Sequence, residues 1–201
     1  MIRNVIFDFG AVLFEWKPTK IVQTYTDSVF EQEMLLNEVL YHPDWVALDR
    51  GTMLMAEVIP KFAARTGFPE ARMEDFFEHI QNSLEKISLT ESIFYKVLDQ
   101  GYSLYYLTNM SNAFFDTLNE RHPFISFFKG GLVSGNELVI KPEAEIFELL
   151  QARFELDASE SLFIDDNEEN INTARSLGFK TIHFNQSSDC YKLIKSTLNI
   201  N

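Results

Sequence analysis

Residues 4–10 read Asn4-Val5-Ile6-Phe7-Asp8-Phe9-Gly10, and the fold turns on them. Val5, Ile6 and Phe7 make a short apolar run of the kind that lies buried in a parallel sheet. Asp8 closes the run. Gly10 follows two positions later, where a tight turn can bring the backbone close to a ligand. The pattern returns downstream. Ser103–Leu107 runs into Thr108 and Asn109, and Ser161–Ile164 runs into Asp165 and Asp166. Lys141 stands in a Lys-Pro-Glu junction between the two. Ligands of open parallel sheets bind beyond the carboxyl ends of the strands. A nucleophilic carboxylate, a hydroxyl, a cation and two further carboxylates are therefore expected at one edge. That set suits Mg²⁺-assisted chemistry on a phosphate ester.

The rest of the chain frames this edge. Gly131–Ser134 and Phe179–Phe184 complete the strand candidates, and intervening helices imply an α/β fold with a parallel sheet. Ser111 is placed to cap a helix carrying Phe114, Phe115 and Leu118. Pro142 is expected in the first turn of a helix with Ile146, Leu149, Leu150 and Phe154 on one face. Asn167 is placed to cap a helix bearing Ile171, Ala174 and Leu177, which Gly178 ends. Between about Thr19 and Gly101 only helical periodicity is found. Met73, Phe76, Phe77, Ile80 and Leu84 form one stripe, Ile21, Val22, Tyr25, Val29 and Phe30 another, and Ile93, Val97 and Leu98 a third. The segment from Gln186 reads as polar, then weakly helical.

Composition narrows the partners. The 201 residues are 46% hydrophobic, enough for a full core. The 19 Phe are read as core filling, with no cofactor attached. A formal charge of −13 argues against a nucleic-acid backbone or an anionic membrane surface as partner. An acidic protein that binds phosphate must gather positive charge locally, from a metal ion, a lysine and backbone N–H groups. Cys190 is the single cysteine, so no intrachain disulfide forms. The amino terminus enters a strand directly without signal-peptide regions, and no stretch is long enough to span a bilayer. A cytoplasmic protein acting on a small phosphate ester is the expectation, and no partner protein is indicated.

Each motif has a chemical reading beside a plainer one. Asp8 can attack phosphorus and form an aspartyl-phosphate, or simply serve a turn. Asp-Phe-Gly also occurs in protein kinases, but a glycine-rich loop, a VAIK-like lysine and an HRD-like loop are missing here. Thr108 and Asn109 suit phosphate oxygens, or ordinary turn chemistry. Lys141 can steady nucleophile and phosphoryl group together, or be a solvated lysine. Asp165 and Asp166 are hard oxygen ligands of the kind Mg²⁺ takes, or a double helix cap.

Together the motifs FDFGAVL, LTN, KPEAEIF and FIDDNEEN, in this order and with a helical insertion after the first, resemble the haloacid dehalogenase superfamily. In detail they are similar to the bacterial α-D-glucose-1-phosphate phosphatase and the phosphatase-like domain attached to epoxide hydrolases. The resemblance runs from Val5 to about Phe184. It implies a Rossmann-like core (1–15 and 88–201) and an all-helical cap (16–87) that covers the site. It implies Asp8 as nucleophile, with Thr108, Asn109 and Lys141 holding phosphate. Mg²⁺ is implied on Asp8, the Gly10 carbonyl and Asp166, with Asp165 as a second ligand or a supporting group. Asn170, where many relatives have another acid, is expected to orient a metal-bound water or to face solvent.

One departure matters. Phosphatases of this superfamily usually carry a second Asp two residues after the nucleophile, as general acid. Gly10 stands there. A positioned acid is commonly worth about 10²–10⁴-fold in rate. A sugar 1-phosphate, with its good leaving group, needs it less. Glu15, His42 and Glu57 are alternative proton donors, and weak turnover of a phosphate-binding protein is a third option. In 2-haloacid dehalogenases the Asp attacks carbon without metal, and the fourth-motif acids are replaced. The retained Asp165-Asp166 therefore ranks a Mg²⁺ phosphatase first. Within the HPDWVALDRG segment, Trp45 and Arg50 are read as a lid suited to a sugar phosphate, with Trp45 equally suited to the core.

Overall fold

The computed structural model describes residues 1–201. Five strands, β1 (Asn4–Phe7), β2 (Ser103–Thr108), β3 (Gly130–Val133), β4 (Ser161–Asp165) and β5 (Lys180–His183), form one parallel sheet in the order β3-β2-β1-β4-β5. The expected α/β, Rossmann-like core is thus present. β1 is central, and Val5, Ile6 and Phe7 are wholly buried, as both faces of such a strand must be. From β1 the chain builds one side of the sheet through β2 and β3, then returns to build the other through β4 and β5. The crevice between β1 and β4 is therefore the topological switch point, where ligands of open sheets settle. The register sets Phe7 opposite Ile164, and the Asp8 N–H donates to the Ile164 carbonyl at 3.0 Å, so Asp8 and Asp165 leave the sheet side by side.

The inserted segment is helical throughout: α1 (Pro18–Tyr25), α2 (Val29–Leu35) running into a π-helical turn (Leu36–Leu40), α3 (Pro43–Arg50), α4 (Met55–Thr66) and α5 (Glu70–Ser83). It leaves and rejoins the core at one place. The Glu15 N–H donates to the Glu85 carbonyl at 2.7 Å, and the Ile87 N–H donates to the Leu13 carbonyl at 2.8 Å. α6 (Ser88–Asp99) then returns to the sheet.

The core helices follow as α7 (Asn112–Arg121), the short α8 (Ser134–Glu137), α9 (Ala144–Phe154), α10 (Glu168–Ser176) and α11 (Ser188–Leu198). Two expectations need correction. Pro142 precedes α9 after a cis peptide bond with Lys141, and Glu143 takes the cap position. Ser111 sits at the amino-terminal cap of α7, but its hydroxyl makes no capping bond. Asn167 caps α10 as expected, accepting from the Glu169 and Asn170 N–H groups at 2.8 and 3.3 Å. The terminal segment is firmer than its polarity suggested. Cys190, Tyr191, Ile194 and Leu198 recur at helical spacing and are buried, so α11 packs on the core.

Phenylalanine does fill the interior. Phe7, Phe9, Phe14, Phe94 and Phe163 are among ten Phe that are essentially inaccessible. One continuous apolar cluster joins the cap to one face of the sheet, whereas a smaller one, including Phe147, Leu150 and Ile171, covers the other face. Cap and core therefore share a hydrophobic interior, which gives the roof of the cavity below a defined seat.

Candidate active site

The carboxyl ends of β1, β2 and β4 form the floor of a cavity of about 330 Å³, and cap helices form its roof. Asp8, Gly10, Asn109, Lys141, Asp166 and Asn170 line the floor. Lys141 is its electrostatic centre. Only 3% exposed, it donates to the Asp8 Oδ1 at 2.8 Å, the Asp165 Oδ2 at 2.7 Å and the Leu107 carbonyl at 2.8 Å. All three ammonium hydrogens are thereby used. Burial opposes the cation, but the charges of Asp165 and Asp8 outweigh it and hold the lysine above its ordinary pKa.

Asp8 is held on one oxygen. Its Oδ1 accepts from Lys141 and, at 2.7 Å, from the Phe9 N–H, while Oδ2 has no protein donor. Burial lifts its carboxyl well above the usual range, and the charges of Asp165 and Asp166 add to this against the pull of Lys141. Asp166 is raised in the same sense, by burial and then by the repulsion of Asp165.

The acidic doublet divides in two. Asp165 is fully buried, and its oxygens accept from Lys141, from the Asn167 N–H at 2.8 Å and from the Asn170 amide at 3.0 and 3.1 Å. Asp166 turns to the cavity. Asp8, Asp165 and Asp166 can each bring an oxygen within 4.8 Å of the others, a set of hard ligands that fits Mg²⁺. Asn170 does not face solvent: it is buried and bound to Asp165.

Asn109 lines the cavity, yet its amide is already engaged. Its Nδ2 donates to the Lys141 carbonyl at 2.9 Å, and its Oδ1 accepts the Lys141 N–H at 2.8 Å. This paired clamp fixes the backbone from which the central lysine reaches inward. The Thr108 hydroxyl is buried without a protein partner. Such a group costs about 1–3 kcal/mol until something pairs it.

The roof is largely apolar. Trp16, Leu40, Trp45 and Leu84 line it, Phe114 of α7 joins them from the core, and Trp16 stacks on Trp45 at 5.8 Å between centroids. Trp45 is thus both cavity wall and core. Arg50 points elsewhere. Its guanidinium forks onto Glu143, with Nη1 donating to Oε2 at 2.9 Å and Nη2 donating to Oε1, and so ties the cap to the Lys-Pro-Glu loop. The three suggested proton donors are all outside the cavity. Glu15 pairs with Lys17, His42 Nδ1 accepts the Asp44 N–H at the start of α3, and Glu57 accepts the Leu54 N–H at the start of α4. The sequence reading missed Asp49, a carboxylate on the roof of the cavity. It lies inside the HPDWVALDRG segment, four residues from Trp45 on the same helical face.

The chain is similar to several known proteins. The chain is 26% identical over 192 residues to the sesquiterpene phosphatase astK of Aspergillus oryzae, covering 95% of this chain and 94% of the other. It is 25% identical over 209 residues to the D-ribitol-5-phosphate phosphatase of Bacteroides thetaiotaomicron, covering 99% and 100%. Among solved structures, the wild-type HAD family enzyme bt-2542 of that organism, in complex with magnesium and inorganic phosphate, superposes with a TM-score of 0.77 at 21% identity, covering 96% of this chain and 99% of the other. The L-2-haloacid dehalogenase of Xanthobacter autotrophicus shares the fold, with a TM-score of 0.69 at 16% identity, covering 98% and 84%. The family model described as haloacid dehalogenase-like hydrolase matches residues 5–184, and the chain belongs to that family.

Proposed function

We propose that the protein is a Mg²⁺-dependent phosphatase that hydrolyses a small phosphate monoester through an Asp8-phosphate. The observation that carries this reading is Lys141 Nζ, bound at once to Asp8 and Asp165 while the Asp8 Oδ2 is left without a donor. The lysine cancels charge at the nucleophile and fixes its orientation, so the free oxygen is presented to phosphorus. Asp8, Asp166 and the Gly10 carbonyl are the proposed metal ligands. Asp165, saturated by Lys141, Asn167 and Asn170, orients the group rather than offering a free oxygen. The bound ion supplies charge neutralisation for the phosphoryl oxygens. Thr108, whose hydroxyl lacks a protein partner, is assigned to a phosphate oxygen, and Asn109 positions Lys141.

The curated phosphatase relatives support this class of reaction. The paired crossings at Leu13–Glu15 and Glu85–Ile87 support the division into core (1–15, 88–201) and cap (16–87). The cap would exclude water while Asp8 attacks phosphorus. For the substrate, the motif likeness suggests a sugar 1-phosphate. The stacked Trp16 and Trp45 with Leu40 and Leu84 favour a flat or apolar alcohol portion. A panel of sugar 1-phosphates, sugar 6-phosphates and an isoprenyl phosphate separates these.

Release of phosphate from p-nitrophenyl phosphate with Mg²⁺ tests the class, with Asp8→Asn as control. The wild type is expected to turn over and the variant to lose about 10⁴-fold or more. Equal slow release by both would refute catalysis by Asp8. Metal-independent chloride release from 2-chloropropionate would instead establish a dehalogenase.

A further inference from the structure

Gly10 leaves the floor of the cavity without a proton donor beside the nucleophile. The roof supplies one. Asp49 lies in the last turn of α3 and lines the same cavity as Asp8, Lys141 and Asp166. Three consecutive residues pin this turn to the core. The Asp49 carbonyl accepts the Ser134 hydroxyl at 2.5 Å. Arg50 forks onto Glu143. Gly51, at φ +83°, approaches so closely that a Cβ there would stand 2.1 Å from the Gly135 carbonyl oxygen. The Asp49 carboxyl is therefore held in place over the strand ends, although it belongs to the cap.

Its place in the cavity wall suits a proton donor. Desolvation at the cavity wall pushes the half-buried carboxyl up to about 8. At neutral pH the group keeps its proton.

We propose that Asp49 is the general acid of the reaction, protonating the departing alcohol oxygen from the cap in place of the acid that Gly10 cannot provide. This rests on the phosphatase reading above. As the Asp8 oxygen bonds to phosphorus, the bond from phosphorus to the alcohol oxygen breaks. Its electron pair stays on that oxygen, which takes the Asp49 proton. Water then attacks the phosphorus of Asp8-phosphate and gives a proton to the Asp49 carboxylate. The bond from Asp8 to phosphorus breaks, and inorganic phosphate leaves with both side chains restored.

The test compares kcat/KM, which reports on steps up to Asp8-phosphate, for two Mg²⁺-dependent substrates: 2-phenylethyl phosphate, whose alcohol needs protonation, and p-nitrophenyl phosphate, whose phenolate does not. Asp49→Asn is expected to lose about 10²–10⁴-fold on the alkyl ester and about tenfold or less on the aryl ester. Should that variant fail to fold, Asp49→Ala is expected to show the same split. Equal losses on both substrates, or no loss on either, would overturn the role of Asp49 while leaving the nucleophile untouched. Absence of wild-type turnover on both would overturn the phosphatase reading, and Asp49 with it.

Discussion

The floor and the roof of the cavity are built on opposite principles. On the floor the central side chains bind one another, Lys141 to Asp8 and Asp165, Asp165 to Asn167 and Asn170, and Asn109 to the Lys141 backbone, while the Thr108 hydroxyl is left without a protein partner. On the roof the cavity faces are mainly aromatic and aliphatic, with Asp49 as the ionisable acid among them. The difference separates two tasks. A closed network of buried charges has one low-energy arrangement, because each group left unpaired in a low-dielectric site is costly. It can hold reacting atoms but cannot be varied. An apolar wall makes few directional demands and can be altered in shape without disturbing the charges beneath. This accords with one fold serving many chemistries.

Breaking the floor should have the largest effect. Lys141→Met leaves two buried carboxylates without their shared cation, and loss of one partner from a buried ion pair costs about 3–5 kcal/mol. The melting temperature is expected to fall by roughly 10 °C or more, and phosphate release to be lost, as read by calorimetry and a phosphate assay. An apolar roof substitution such as Leu84→Met, which conserves volume, provides the contrast.

Metal and pH probe the floor more gently. Burial raises the folded pKa values of Asp8, Asp166 and Asp49 above the usual carboxylate range, that of Asp49 to about 8. A carboxyl raised in this way binds its proton more tightly folded than unfolded. Its contribution to stability is therefore greatest below its unfolded pKa and is lost as pH rises through the folded value. The metal-free protein should lose melting temperature between about pH 5 and 8. Mg²⁺ competes with those protons, so its stabilisation should grow over the same interval, reaching about 2.7 kcal/mol at a hundredfold excess over Kd. Thermal melts with and without Mg²⁺ at each pH check both slopes. A larger Mg²⁺ effect at pH 5 than at pH 8 would contradict the assignment.

The smallest effect sharpens the comparison by moving an acid from roof to floor. A Cβ on Gly10 would meet only Trp16, at 3.8 Å, so the position has room for a side chain. In an Asp49→Asn background, Gly10→Asp is expected to recover about tenfold in kcat/KM on 2-phenylethyl phosphate, within the range of a partly aligned general acid. Recovery would show that floor and roof positions deliver a proton to the same oxygen.

Much of the floor was legible from residue order. Short apolar runs ending in Asp8, Thr108 and Asp165 mark the carboxyl ends of parallel strands, and parallel strands bring those ends to one edge whatever the intervening chain does. The helical insertion was equally legible, since Met73, Phe76, Phe77 and Ile80 recur at a helical period and all four are buried. The outer parts were harder. α11 hid behind polar residues because four apolar positions suffice to seat a helix against an existing core. Ser111 had the right residue type for a cap, yet its hydroxyl makes no capping bond.

The sequence by itself determined the parallel core, the inserted helical segment and the set of groups at the strand ends, because these follow from local periodicity and chain order. Tertiary structure alone decided which carboxylate of the doublet faces the cavity, what Asn109 holds, where Arg50 goes, and that Asp49 lines the same cavity as Asp8. Each of these depends on how the cap docks or on a contact between distant segments. Such contacts are set by packing and by the pairing of buried charges, for which adjacent residues carry no local signal.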